Sequence, residues 1–137
     1  MNRYVLDTSV AAAWYLDDSF SASARQWQER LLEGRITMIV PNLHYLEFAN
    51  VLRTLVVRRE LEESLAREIY GLHLEAPLER AEPNVRSVLD TALKYGATAY
   101  DATYIALSLS CDARLVTAEK TTTPWITKLG GRVEPVR

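Results

Sequence analysis

Cysteine is almost absent from this chain of 137 residues: Cys111 stands alone. No internal disulfide can form, and no zinc site can be built from thiolates. A single thiol fits a reducing compartment, and Cys111 reads as a small buried apolar residue. Long hydrophobic runs are missing as well. No stretch approaches the ~20 consecutive apolar residues that cross a bilayer. Residues 1–7 pass at once into a strand-like segment, without the basic and apolar regions of a secretion signal. A cytoplasmic location is the expectation. Positive charge is also scarce, since 16 Lys and Arg against 18 Asp and Glu leave a net charge of −2. That excludes a global basic field of the kind that drives non-specific binding to duplex nucleic acid, so any contact with a polyanion must be local. With only two histidines, His44 and His73, imidazole has little scope as a metal ligand, and both are read as structural.

What is present suits a single folded domain over residues 1–137. The length matches one hydrophobic core, and 48% hydrophobic with 25% charged residues is ordinary globular composition. Residues 4–6 read as a short buried strand, followed by a helix over 10–16. A second helix spans 21–33, and the β-branched run 36–40 reads as a strand stopped by Pro41. Helical periodicity continues over 43–59 and 61–73. Pro83 is placed in the first turn of a helix that runs to Tyr95 and ends at Gly96. A helix over 100–110, a strand over 114–117 and a last, edge strand over 133–136 complete the pattern. Strands alternating with helices predict a three-layer α/β/α sandwich with a mostly parallel sheet. Such sheets carry their ligand sites at the carboxyl ends of the strands, near a topological switch point.

The informative feature is where charge is missing. Asp7 is the only formal charge from Tyr4 to Leu16, Glu47 the only one from Ile36 to Leu52, and Asp101 the only one from Tyr95 to Cys111. Ionised carboxylates cost several kcal/mol to bury without a partner. Three isolated acids in core-forming segments therefore need a compensating group. Helical spacing sets Glu47 on one stripe with Leu43, Leu46 and Asn50, facing inward or along a cleft edge. Asp101 shares a face with Tyr104, Ile105 and Ser108 and lies in the first turn of its helix. Asp7 ends the first strand, and Glu119 follows the strand 114–117 by two residues, on the same sheet edge if the two strands run parallel. Each acid also has a plain reading alone: Asp7 or Asp101 as a helix N-cap, Glu47 paired with Arg53 or Arg80, Glu119 solvated beside Lys120. Taken together, an oxygen-only cluster suits a hard cation, Mg2+ or Mn2+.

Four ordered blocks carry a resemblance. Val5-Leu6-Asp7-Thr8-Ser9, then Pro41 with Glu47-Phe48-Ala49-Asn50-Val51-Leu52, then Tyr100 to Leu107, then Leu115-Val116-Thr117-Ala118-Glu119-Lys120 together resemble PIN domains. Within that family the chain is most similar to the VapC-like toxin ribonucleases of prokaryotic toxin–antitoxin modules. The resemblance implies an acidic metal core of Asp7, Glu47 and Asp101, with Thr8 and Thr117 as hydroxyl supports. It departs at the fourth block, where Glu119 replaces the usual Asp, and the extra methylene shifts that carboxylate or leaves it reaching metal through water. The implied activity is Mg2+-dependent endoribonuclease cleavage, with Asp7, Glu47, Asp101 and Glu119 catalytic and metal-binding. Arg53, Arg58, Arg59 and Lys120 are candidates to hold the RNA backbone. A homodimer and a cognate antitoxin protein are implied as partners. Two rivals remain open at this stage: a phosphoryl-transfer enzyme with Asp7 as nucleophile, disfavoured because Ser9 stands where a second acid is needed, and a PIN-like interaction module that has lost activity through Glu119.

Overall fold

The computed structural model describes residues 2–137. Five parallel strands form one sheet in the order β3-β2-β1-β4-β5: β1 is Asn2–Leu6, β2 Ile36–Val40, β3 Glu79–Arg80, β4 Arg114–Thr117 and β5 Val133–Pro135. The α/β/α sandwich expected from the sequence is the observed fold, with a sheet that is wholly rather than mostly parallel.

Alternation along the strands separates two cores. Tyr4, Leu6, Met38, Val40 and Val116 face one way, onto helices α1 (Thr8–Tyr15) and α2 (Ser21–Leu32). Val5, Ile39, Leu115 and Val133 face the other way, onto α6 (Ala99–Ser110) and α7 (Pro124–Leu129). A third cluster joins Ala12 of α1 to Phe48 and Leu52 of α3 (Asn42–Val57) and to Ala66 and Ile69 of α4 (Glu63–Leu74). Helix α5 (Val85–Tyr95) packs on α6 from outside and has no buried residue.

Several boundaries differ from the sequence expectation for identifiable reasons. Pro83 lies before α5 rather than in its first turn; the cap is Asn84, whose side chain accepts from Arg86 N at 3.0 Å. Gly96 does end that helix, in the left-handed conformation at φ 63°. Helix α1 begins at Thr8, directly after β1, and α4 begins at Glu63. Two elements were unexpected: the two-residue strand β3, which exists only through its pairing with β2, and the short helix α7. Cys111 is half-buried at the end of α6, against the second core.

Candidate active site

Strand β1 is the central strand, and the chain places β2 on one side of it and β4 on the other. Its carboxyl end is therefore the switch point of the sheet, where the flanking loops part and leave room for a ligand. Asp7 is the first residue beyond β1. It occupies the N-cap position of α1, yet its side chain makes no capping bond. Oδ2 instead accepts from Thr117 Oγ1 at 2.7 Å and from Ser9 Oγ at 2.9 Å. The plain N-cap reading of Asp7 thus fails, and its carboxylate is turned towards the end of β4. Ser9 Oγ accepts in turn from Ala118 N at 3.2 Å, tying the start of α1 to the β4 loop.

Burial is the main reason that Asp7 is pushed up from 3.8 to about 6; the two hydroxyls oppose the rise, and the charges of Glu47 and Asp101 add to it. Asp101 is raised as well, by burial first and then by the charges of Glu119 and Glu47. Asp101 thus feels the charge of both glutamates, and Asp7 that of Glu47 and Asp101. Asp101 is the third residue of α6, whose N-cap is Thr98, with Asp101 N donating to Thr98 Oγ1 at 3.1 Å. Its carboxylate is held by Thr98 and by the Trp125 side chain from α7.

Glu47 lies one and a half turns into α3, half-buried on the cleft side. Its Oε1 accepts from Tyr104 Oη at 2.6 Å and from Thr8 Oγ1 at 3.0 Å. Neither Arg53 nor Arg80 pairs with it: Arg80 stacks its guanidinium 4.4 Å from the Tyr45 ring centroid, and Arg53 lies in the groove between α3 and α4. Glu119 is half-buried in the loop after β4; its backbone N–H donates to Thr117 Oγ1 at 3.1 Å, and its carbonyl accepts from Arg137 at 2.8 Å. Thr8 and Thr117, expected as hydroxyl supports, hold Glu47 and Asp7 respectively. Of the basic residues, Lys120 adjoins Glu119, whereas Arg58 and Arg59 end α3, ~16 Å or more along the helix from Glu47.

Ser9, Thr98, Tyr104 and Trp125 also hold the acids. Tyr104 was visible as the neighbour of Asp101 on one helical face and Ser9 as part of the first block, whereas nothing in the sequence marked Thr98 or Trp125 as partners of an acid. The donors are hydroxyls and an indole, and among the described residues no Lys or Arg forms an ion pair with any of the four acids. Nor do any three described His, Cys, Asp or Glu side chains converge tightly enough to grip one ion directly. The carboxylates meet through charge rather than contact. An all-oxygen set at this spacing fits a hard cation that keeps part of its water shell and takes one or two carboxylates directly.

Solved structures of known proteins share this architecture. A protein of Pyrobaculum aerophilum matches with a TM-score of 0.75 at 20% identity, over 96% of this chain and 83% of that one. VapBC2 of Rickettsia felis, bound to a DNA fragment from their promoter, matches at 0.67 and 14% identity over 98% and 99%. Mycobacterium tuberculosis VapC20, a sarcin-ricin loop cleaving toxin, matches at 0.66 and 13% identity over 93% and 95%. No curated protein matches the sequence. The PIN domain family model, however, matches residues 4–121, a span that contains all four acids, the end of β1 and the whole of β2, β3 and β4, and the chain belongs to the PIN domain family.

Proposed function

We propose that the chain is a Mg2+-dependent endoribonuclease, the toxin of a toxin–antitoxin pair. One observation carries the reading: near the switch point of the sheet Asp7 feels the charge of Glu47 and Asp101, and Asp101 that of Glu47 and Glu119, while among the described residues no Lys or Arg pairs with any of the four. A polyanion cannot approach such a site unless a cation is added. The likeness to a toxin that cleaves the sarcin-ricin loop supports RNA as the polyanion.

Asp7 and Asp101 are the carboxylates that would take the ion, with Glu47 and Glu119 completing its surroundings or orienting the attacking water. Mg2+, with Mn2+ as a substitute, supplies a more acidic bound water and offsets charge developing on the scissile phosphate. The chain's own groups keep the acids in place. Ser9 and Thr117 hold Asp7, Thr8 and Tyr104 hold Glu47, and Thr98 and Trp125 hold Asp101. Beside Glu47 a cleft of about 470 Å³ is lined by Leu43, Leu46, Asn50 and Tyr100, and Leu46 and Tyr100 are exposed. It offers an aromatic face to an unpaired base, or an apolar seat to an antitoxin segment that sets a basic side chain among the acids. Val85, Leu89 and Leu93 form an exposed stripe on α5 that suits the expected homodimer.

Purified protein incubated with total RNA, with Mg2+, with Mn2+ and with chelator, tests the reading once the ends are mapped. Discrete cuts that vanish in chelator are expected. Hydrolysis of an aryl phosphate with intact RNA would favour phosphoryl transfer by Asp7, and loss of both activities together with Mg2+ binding would leave an interaction module.

A further inference from the structure

The two histidines play no part in the proposed reaction, yet they are fully buried and joined to it. Tyr15 Oη lies 2.9 Å from His73 Nδ1, His73 Nε2 lies 2.8 Å from His44 Nε2, and His44 Nδ1 lies 3.3 Å from Thr8 Oγ1. Thr8 Oγ1 then reaches Glu47 Oε1 at 3.0 Å. We propose that His44 and His73 are positioning residues, forming with Tyr15 a one-way chain of hydrogen bonds that aims the Thr8 hydroxyl and so fixes the Glu47 carboxylate for cation binding. The proposal rests on the reading of Glu47 as part of a metal site.

The direction follows from counting hydrogens. Thr8 Oγ1 also lies 2.7 Å from Tyr104 Oη, so Thr8, Tyr104 and Glu47 Oε1 form a triangle of contacts. A carboxylate only accepts, so the two hydroxyl hydrogens serve that triangle and the one on Thr8 is spent within it. Thr8 then accepts from His44, whose Nδ1 carries the hydrogen. The Leu6 backbone acts on the His44 ring as an acceptor, opposing the fall in its pKa; with Nε2 engaged by His73, that too calls for a hydrogen on Nδ1. A neutral imidazole has one donor and one acceptor, so His44 Nε2 offers a lone pair, His73 Nε2 donates to it, and His73 Nδ1 accepts from Tyr15. Burial keeps every member in the form required: His44 is pushed down to about 3 and His73 to about 4, both uncharged, while Tyr15 is pushed up to about 12 and retains its hydrogen. Reversing the chain would turn the Thr8 hydrogen away from Glu47, leaving Tyr104 as the donor to that oxygen, and would leave the Leu6 carbonyl without its donor.

The consequence is that α4, through His73, and the end of α1, through Tyr15, are both coupled to the orientation of a carboxylate in the cleft. Partners that orient a metal-site carboxylate typically contribute 10- to 100-fold in metal affinity. Because these are the only two histidines in the chain, a long-range 1H–15N spectrum of the wild-type protein reads them directly. The expected pattern is one ring with hydrogen on Nδ1, the other with hydrogen on Nε2, both neutral at pH 7. Two rings in the same tautomer, or either ring charged, would overturn the chain. Titration with Mn2+ alone, followed by electron paramagnetic resonance, tests the positioning role. His44→Leu should weaken Mn2+ binding about tenfold or more, and His44→Asn, whose amide can still donate to Thr8 and Leu6, should recover most of the loss. Equal affinity in His44→Leu and wild type would overturn the positioning role and leave the metal site standing. A wild-type protein that binds no Mn2+ would instead overturn the metal site, and the positioning role with it.

Discussion

The carboxylates around the sheet fall into two halves that are treated in opposite ways. One half is matched with arginine: Arg3 with Glu79 at 3.4 Å, Arg114 with Glu134 at 2.6 Å and Arg132 with Asp112 at 3.1 Å. In the other half, at the carboxyl end of β1, Asp7, Glu47, Asp101 and Glu119 are half-buried; the first three are held by hydroxyls and an indole, and among the described residues no arginine or lysine is paired to any of the four. Hydrogen-bond donors satisfy lone pairs without cancelling charge, so the field of these acids remains available. The first arrangement is a solvated surface worth a few tenths of a kcal/mol per pair. The second costs the apo protein stability, and such a cost at the switch point of an α/β sheet is what a cation-binding site requires.

The largest effect that can break this comparison is on catalysis. Asp7→Asn or Asp101→Asn, nearly isosteric, should cut Mg2+-dependent RNA cleavage by at least 100-fold, about 3 kcal/mol of transition-state stabilisation, while circular dichroism shows an intact fold. Cleavage within about tenfold of wild type in either variant would remove that residue from the site. Removing an arginine-paired acid, as in Glu134→Gln, should leave cleavage unchanged in the same assay.

Much of this contrast was legible in the sequence, because three of the unpaired acids stand alone in apolar segments and the paired ones sit among other charges. The parallel sandwich was legible for a related reason: 36–40 and 115–117 are unbroken β-branched or apolar runs between helical stretches. The illegible parts lack a pattern of their own. Glu79 and Arg80 form a strand only by adding to the edge of β2, a tertiary event that two polar residues cannot signal. Helix α7 is six residues long, too short for periodicity, although Thr123 at its cap and Pro124 at its start are a readable onset. Missing α7 meant missing Trp125 as a partner of Asp101. The histidines were read as structural and are fully buried, but their mutual contact and their link to Thr8 depend on α4 folding back onto α1 and α3, which no spacing within one segment reveals.

A smaller effect concerns stability against pH, and it sharpens the comparison by its sign. Asp7 is raised in the folded state to about 6 from 3.8. Its contribution to stability is therefore complete below about pH 3.8 and is lost as pH rises through 6, because the folded protein then holds a charge that the unfolded chain bears more easily. The difference between those values caps the effect at ~3 kcal/mol, and partial exposure lowers the expectation to about 1 to 2 kcal/mol. In chelator at pH 7.5, Asp7→Asn should accordingly melt higher than wild type, and the gap should close near pH 4. Excess Mg2+ should reverse the order, since wild type gains stability from the ion and the variant gains much less. A variant that melts lower in chelator at pH 7.5 would make Asp7 a structural acid like those of the other half.

The smallest effect belongs to that other half and has the opposite sign. Arg114 and Glu134 join the first residue of β4 to β5 at 2.6 Å, with side chains 59% and 30% exposed. Water competes for both groups, so the pair should contribute ~0.5 kcal/mol or less. Glu134→Gln should therefore lower stability by no more than that, and the loss should shrink further at 1 M salt, where screening acts over only ~3 Å. Mg2+ should shift the melting of this variant and of wild type equally, because nothing near Glu134 gathers uncompensated negative charge. Urea melts at low and high salt, each with chelator and with Mg2+, separate the two halves cleanly. If Glu134→Gln stabilised the apo protein, or blunted its response to Mg2+, the arginine-paired acids would share in the cation site, and the division between paired and unpaired carboxylates would not mark where function lies.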